Sequence, residues 1–367
     1  MIRKLLLSAL VLAFILASGV AGYFALRNRA ADKLAFILTA RGVQLSKQQA
    51  DKLERDLEVD PNSFADRIEL LSFYSFKRVS GELNASELAS RRRHIAWVIT
   101  NEPSSKFASD PAMEFYPETE DPDPVGLQEA RSLWLQQVQA KPSDSRILYN
   151  TGEFFSSIHE FPQSEDFLER ARAIDPADYE TAFSLATDYW HDARYSTTSD
   201  QLRISAIKSL GLFEQALKNA KDNDQVLYTL PDAAQAAFEA GDSARAAAWS
   251  TEMLTTAEKP ENGRDYSDEV HYGNIVLGRI ALRQGDTTSA AAHLIKAGAV
   301  GGNPHLDSFG PNMMLAKELL ERGTDQPVLE YLDACSKFWK SDDGKLARWR
   351  AAVVTGKAPD FGANLRY

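Results

Sequence analysis

Leu148-x2-Thr151-Gly152-x2-Phe155, then Ser164-x3-Leu168-x2-Ala171-x4-Pro176, settles what kind of fold this 367-residue chain adopts. Bulky residues and a small one close a first helix against a second, a small residue opens the second, and proline ends it. Such a pair cannot bury its apolar face alone and must stack on neighbours. The frame recurs in phase. Gly278-x2-Ala281, Gly285-Asp286, Ala290, Leu294 and Ala297 keep its offsets, as do Ala234-x2-Ala237, Gly241-Asp242, Ala246, Ser250 and Met253. A looser copy runs Leu315-Ala316-x2-Leu319, Gly323, Val328, Leu332 and Cys335. In each, glycine stands where the chain reverses between antiparallel helices, a place that favours positive φ.

This spacing is that of the tetratricopeptide repeat, and the chain resembles that family. The resemblance implies an all-α protein, a right-handed α-solenoid of about seven to eight helix pairs. Pro61, Pro103, Pro142, Pro176, Pro260 and Pro304 fall at intervals of 42, 39, 34, 84 and 44, so most units hold insertions in their turns. The long interval holds two units, the first marked by Phe213-x2-Ala216-Leu217. A non-repeating bundle is the alternative, which copies in one phase argue against. Hydrophobic residues at 44% and charged at 25% suit a soluble fold, and alanine-rich segments with few β-branched runs favour helix.

Residues 1–29 read as a membrane anchor or a signal peptide. Leu5–Leu26 is 22 residues without a charge, flanked by Arg3 and Lys4 on one side and Arg27 and Arg29 on the other. As a helix it reaches ~33 Å, enough to cross a bilayer core. A cleaved signal peptide would use Leu5–Leu16 as its apolar region and a small-residue site near Ala17-Ser18-Gly19 or Val20-Ala21-Gly22. Apolar residues continue past both sites and Ala-x-Ala is absent, so a single-pass membrane anchor through residues 5–26 is expected. The bulk of the chain is then extracytoplasmic; secretion after cleavage is the alternative. The repeat array is expected over 30–340, with a capping helix and tail over 341–367.

Charge bounds the partners. The chain carries −11, and residues 30–367 alone carry −15, a sign that excludes nucleic acid, which needs basic surface to displace counterions. Arg91-Arg92-Arg93-His94 is the one basic run and reads as a solvated helix face, with an anion or lipid headgroup contact as the alternative. Cys335 is the single cysteine, so no intramolecular disulfide forms, and its helix position suits an inert core thiol.

Along the chain, residues 30–58 read as a first helix pair with Ser46 capping the second helix, and 64–98 as another pair broken at Ser80-Gly81. Pro117 to Pro124 is too acidic and proline-rich for a helix and reads as a surface loop. A further insertion falls around Tyr195–Asp200.

No catalytic motif stands out. His94, His159, His191, His271, His293 and His305 are scattered, and His-Glu-x-x-His, Gly-x-Ser-x-Gly and Gly-x4-Gly-Lys are all absent. His159-Glu160 reads as a solvated turn. No cofactor, no metal and no catalytic residue is expected. Paired carboxylates in one deep pocket would favour a hydrolase on a helical scaffold instead.

Phe309-Gly310-Pro311-Asn312 and Phe361-Gly362-Ala363-Asn364 repeat one short pattern, read as two tethered turns with the tail capping the array. Together with Phe338-Trp339, Leu346-x2-Trp349, Arg131-Ser-Leu-Trp134 and Ala171-Arg-Ala-Ile-Asp-Pro176, this resembles bacterial membrane or secreted tetratricopeptide-like proteins of no assigned activity, over about residues 45–367. If the pairs stack as in that family, the first helix of each lines a concave face. Its stripe would carry Tyr149, Asn150 and Glu153, then Phe183, Thr187 and Trp190, then Tyr228, Gln235 and Phe238, then Arg279, Arg283 and Lys317. The family's clamps hold a terminal carboxylate with Lys, Asn and Arg; aromatic rings dominate here, which suits a protein or peptide partner in an envelope-assembly or secretion role. Burial in the core is the alternative for each ring. Rows of Trp and Tyr would also suit a carbohydrate polymer.

Overall fold

A computed structural model of the chain describes residues 30–115, 123–258 and 265–366, and among them it is all-helical, without a strand. The expected anchor at 1–29 and most of the acidic loop before Pro124 lie outside the described residues. Among the described residues no helix is long and apolar enough to cross a membrane. Packing divides the described residues into two compact units, the first ending at Asp188 and the second beginning at Tyr189.

The first unit holds α1 (Ala30–Val43), α2 (Lys47–Val59), α3 (Phe64–Val79), α4 (Ala85–Asn101), α5 (Pro124–Ala140), α6 (Ser145–Ser157) and α7 (Phe161–Ile174). The division falls inside α8 (Tyr179–Tyr195). The second unit continues with α9 (Ser199–Asn219), α10 (Asn223–Ala240), α11 (Ser243–Ala257), α12 (Ser267–Arg283) and α13 (Thr287–Gly298). It ends with α14 (Pro304–Phe309), α15 (Met314–Leu320), α16 (Gln326–Cys335) and α17 (Lys345–Val354).

Local chemistry sets these limits. Ser46 and Gln49 form a reciprocal capping box at α2, and Asn84 and Glu87 another at α4, satisfying amides that an open helix end leaves bare. The frame's small residue has a measurable purpose. A Cβ added at Gly152 would lie 2.7 Å from Leu168, and one at Gly278 would lie 2.3 Å from Leu315, so a larger residue at either place would force the leucine packed on it to shift. Pro304 departs from Pro61, Pro103, Pro142 and Pro176, which follow helix ends, since it opens α14.

Within the second unit α10 packs on α9, α11 and α12, and α12 packs on α11 and α13. First helices of successive pairs thus touch each other as well as their own second helices, as stacked repeats require. One buried cluster centres on Leu230, Phe238, Met253 and Val276, and another on Leu294, Leu315, Tyr331 and Trp339.

The basic run at 91–94 is not a solvated face. Arg91 is fully buried and donates to the carbonyl oxygens of Ala112 (3.0 Å) and Glu114 (2.6 Å). Two short 3-10 turns, Lys106–Ser109 and Pro111–Met113, bring those carbonyls over α4. His94 is buried too, accepting from Arg67 (2.8 Å) and donating to Glu54 (3.1 Å). Burial alone would raise Glu54, but the bonds from His94 and Tyr74 outweigh it and hold the carboxyl at about 2. Only Arg92 and Arg93 reach outward, Arg92 to Asp123 (2.7 Å) and Arg93 to Glu54 (3.6 Å).

Candidate partner-binding face

In the second unit the ends of α8, α12 and α14 and the middle of α10 converge on a half-exposed polar cluster. The indole N–H of Trp190 donates to Asp232 (3.1 Å), and Arg194 lies 4.0 Å from the same carboxylate. Asp268, which opens α12, takes a hydrogen bond from Nδ1 of His305 (3.0 Å) and another from the Asn303 side chain (2.9 Å). Burial disfavours a charged imidazole, yet the bond and charge of Asp268, with Asp232 behind it, outweigh burial and Arg194 and raise His305. The ring is 39% exposed, so the site presents an imidazole to solvent beside the Asp268 carboxylate.

Behind it lies a rigid polar floor. Nδ1 of His271 donates to the Ala297 carbonyl (2.9 Å) while Nε2 accepts from the Asn312 amide (3.0 Å), which fixes one neutral tautomer. Burial lowers this imidazole to about 4. Tyr331 closes the floor with a hydrogen bond to the Asn312 carbonyl (2.7 Å).

A motif of ring, arginine and carboxylate recurs. In the first unit Arg146 covers Tyr149 (4.4 Å from guanidinium carbon to ring centre) and pairs with Glu180, which Lys106 also binds (2.6 Å). In the second unit Arg194 lies over Trp190 (5.7 Å) beside Asp232. Arg279 lies over Phe238 (4.2 Å) and pairs with Glu239 and Glu318, both at 2.7 Å. Arg283 covers the same Phe238 ring at 3.4 Å.

The expected stripe is therefore only partly at the surface. Tyr149, Asn150, Trp190, Gln235, Phe238 and Arg279 are buried; Glu153, Phe183 and Thr187 are half-buried; Arg283 and Tyr228 are exposed, Tyr228 at 46%. Asn150 spends its amide on the carbonyls of Pro103 and Ser105 (2.8 Å each), and Gln235 faces Asn312 (3.5 Å). The rings turn inward because a first helix is packed by its own pair and by both flanking pairs. Within the first unit Tyr149 meets Ser184 (3.3 Å); within the second, Gln235, Phe238, Arg279 and Arg283 gather around α10 and α12. Lys317 pairs with Glu321 on α15 (3.4 Å) and joins neither group.

Asp232, Asp268, His305 and Asn312 escaped the repeat register. Asp268 reads locally as an acid complementing the helix dipole, and no sequence signal ties it to a histidine 37 residues away.

The first unit has a small pocket of about 30 Å³ lined by Asp110, Glu114, Glu153, Phe115, Trp134 and Phe154. Burial drives Asp110 up to about 6 and, against Arg146 and Ser184, Glu153 to about 7. Three acidic residues do line it, but the space holds only about two waters.

No family model matches the chain, and no curated protein does. Fifteen chains of solved structures match. One is the human IFIT1 dimer with PPP-AAAA, at a TM-score of 0.37 and 13% identity over 84% of this chain and 78% of that one. So weak a likeness says nothing about this chain's partner.

Proposed function

We propose that this protein is a scaffold of right-handed, tetratricopeptide-like helix pairs that holds an extended segment of a protein partner on the α8–α10–α12–α14 face of its second unit. The carrying observation is the half-exposed cluster of Asp232, Asp268 and His305 beside the exposed rings of Tyr195 and Tyr228. Charge and aromatic surface on a rigid floor suit a peptide whose backbone and side chains both need partners. Sugar stacking would need a continuous row of open ring faces, and Trp190 and Phe238, which would complete one, are buried. A hydrolase would need a pocket larger than the one that Asp110 and Glu153 line.

Leu5–Leu26 would tether the scaffold to a membrane, with the helical units on the extracytoplasmic side in an envelope-assembly or secretion role. Carbonate-resistant sedimentation, with digestion by protease added outside, tests the tether and its orientation. For the face, the test is purification from crosslinked membranes with the wild-type chain and with Tyr228→Ala and Asp232→Asn. One protein recovered by the wild type and depleted at least about threefold with both variants is expected. Equal recovery from all three chains would remove the face from the reading.

A further inference from the structure

The tail after α17 does more than cap an end. Phe361 is buried against Trp349, whose indole N–H donates to the Asp360 carbonyl (2.8 Å). From there the chain doubles back. Asn364 is 1% exposed; its amide donates to the carbonyls of Phe309 (3.1 Å) and Pro311 (3.0 Å), and its own carbonyl accepts from the Met313 amide (2.8 Å). Two residues later Arg366 lies over the Tyr195 ring, 4.5 Å from its centre. Two residues of chain span at most about 7 Å, so the tail bridges the α14–α15 turn and the end of α8 in one step.

That contact repeats the grammar of the face. Tyr149, Trp190 and Phe238 are each covered by an arginine with a carboxylate near it, all supplied by the helices. At Tyr195 the covering arginine comes from the tail. It has no carboxylate within 4 Å among the described residues, and the ring it covers belongs to the last residue of α8. Asn364 is meanwhile read as a bound peptide would be read, by main-chain groups on both sides.

We propose that residues 362–366 are a built-in ligand, a strap that occupies one end of the partner face, and that the partner displaces it with a segment offering a side-chain amide followed by a cation. This rests on the reading of the face as a peptide site. Phe361 stays in the core and serves as the hinge peg. A tethered segment presents itself at on the order of 1 mM, so a free peptide of the same sequence competes poorly while the strap is down.

The test uses a fluorescent peptide copying residues 358–367, titrated against the full-length chain by anisotropy. The wild type should bind it weakly, and Arg366→Glu should bind about tenfold more tightly because the strap no longer holds. Adding Tyr195→Ala to Arg366→Glu should return binding to the wild-type level or below. No gain with Arg366→Glu overturns the strap. Asn364→Ala serves as a second release variant if circular dichroism shows it folded. Hydrogen exchange on the wild type is independent of any variant: the Met313 amide should exchange at least about tenfold faster than those of the buried α16 core. Exchange as slow as that core overturns the proposal, since a strap that never lifts cannot be displaced. A crosslinked purification that recovers no protein would sink the partner reading while leaving the peptide titration to judge the strap.

Discussion

At Arg91 a guanidinium with no exposure donates to the carbonyl of Ala112, in the second 3-10 turn, and to that of Glu114, just past it, so its charge anchors irregular backbone to α4. Arg91→Met keeps most of the side chain's length but leaves the Ala112 and Glu114 carbonyls without this donor. A loss of about 3 kcal/mol in urea unfolding is expected, and a loss below about 1 would mean that water replaces the donor at no cost. His271 makes the second prediction. Its pKa is about 4 in the folded chain against an ordinary 6.5, so the neutral ring contributes stability above pH 6.5 that drains away as pH falls toward 4. The loss amounts to about 3 kcal/mol. Melting curves at pH 7.5, 5.5 and 4 should show it in the wild type, and His271→Gln should be less stable throughout but flatter over that window.

At the scale of helices and turns, the two glycines Gly241 and Gly310 should behave differently. Both have positive φ, +91° and +84°, but a Cβ at Gly241 meets nothing within 4 Å, whereas one at Gly310 meets the Trp339 ring at 2.5 Å and Asn364 at 2.8 Å. Gly241→Ala should cost about 1–2 kcal/mol of backbone strain. Gly310→Ala should cost more and should also free the tail; equal losses in thermal unfolding would show that Trp339 simply moves aside. Helix limits of this sort were legible in the sequence, because caps and reversing glycines act locally: Ser46, Ser80-Gly81, the break after Tyr195 and the paired Phe-Gly-x-Asn turns all stand where the spacing puts them. The two Phe-Gly-x-Asn turns are tethered, through Asn364. What sequence could not supply was facing. Arg91 reads as surface because nothing near it in the chain announces the carbonyls 21 and 23 residues on. Trp190 and Phe238 read as groove because repeat register gives a helix face but not how many neighbours cover it. The His305–Asp268 pair belongs to the fold alone.

For the molecule as a whole, titration should separate the two units. Glu153 and Asp188, both raised to about 7 chiefly by burial, lie in the first unit, where Asp188 accepts from Ser156 (2.7 Å) and Ser164 (2.5 Å). Raised acids contribute stability while protonated, fully present below their ordinary range and lost as pH rises through about 7. The lowered carboxyls of that unit, Glu54, Glu87, Glu160 and Glu180, forfeit theirs only as pH falls below the ordinary carboxylate range, outside this window. In the second unit the dominant titration is that of buried His271, which runs the other way; His305 opposes it, but its exposed ring is screened by solvent. Calorimetry between pH 5 and 8 should therefore resolve two transitions, one falling and one rising as pH increases. A single transition, or two moving together, would contradict this assignment.

Cys335 carries a consequence of its own. It is the only thiol in the chain, fully buried on α16 against Tyr331, and burial pushes it far above the range where thiolate forms. A disulfide reagent such as dithionitrobenzoate can then react only in the moments when that region opens, so the native chain contains a stopwatch for the second unit and none for the first. Labelling should follow the opening of α16 without any engineered probe, and it should slow when a displacing peptide is bound if peptide and strap share the same floor.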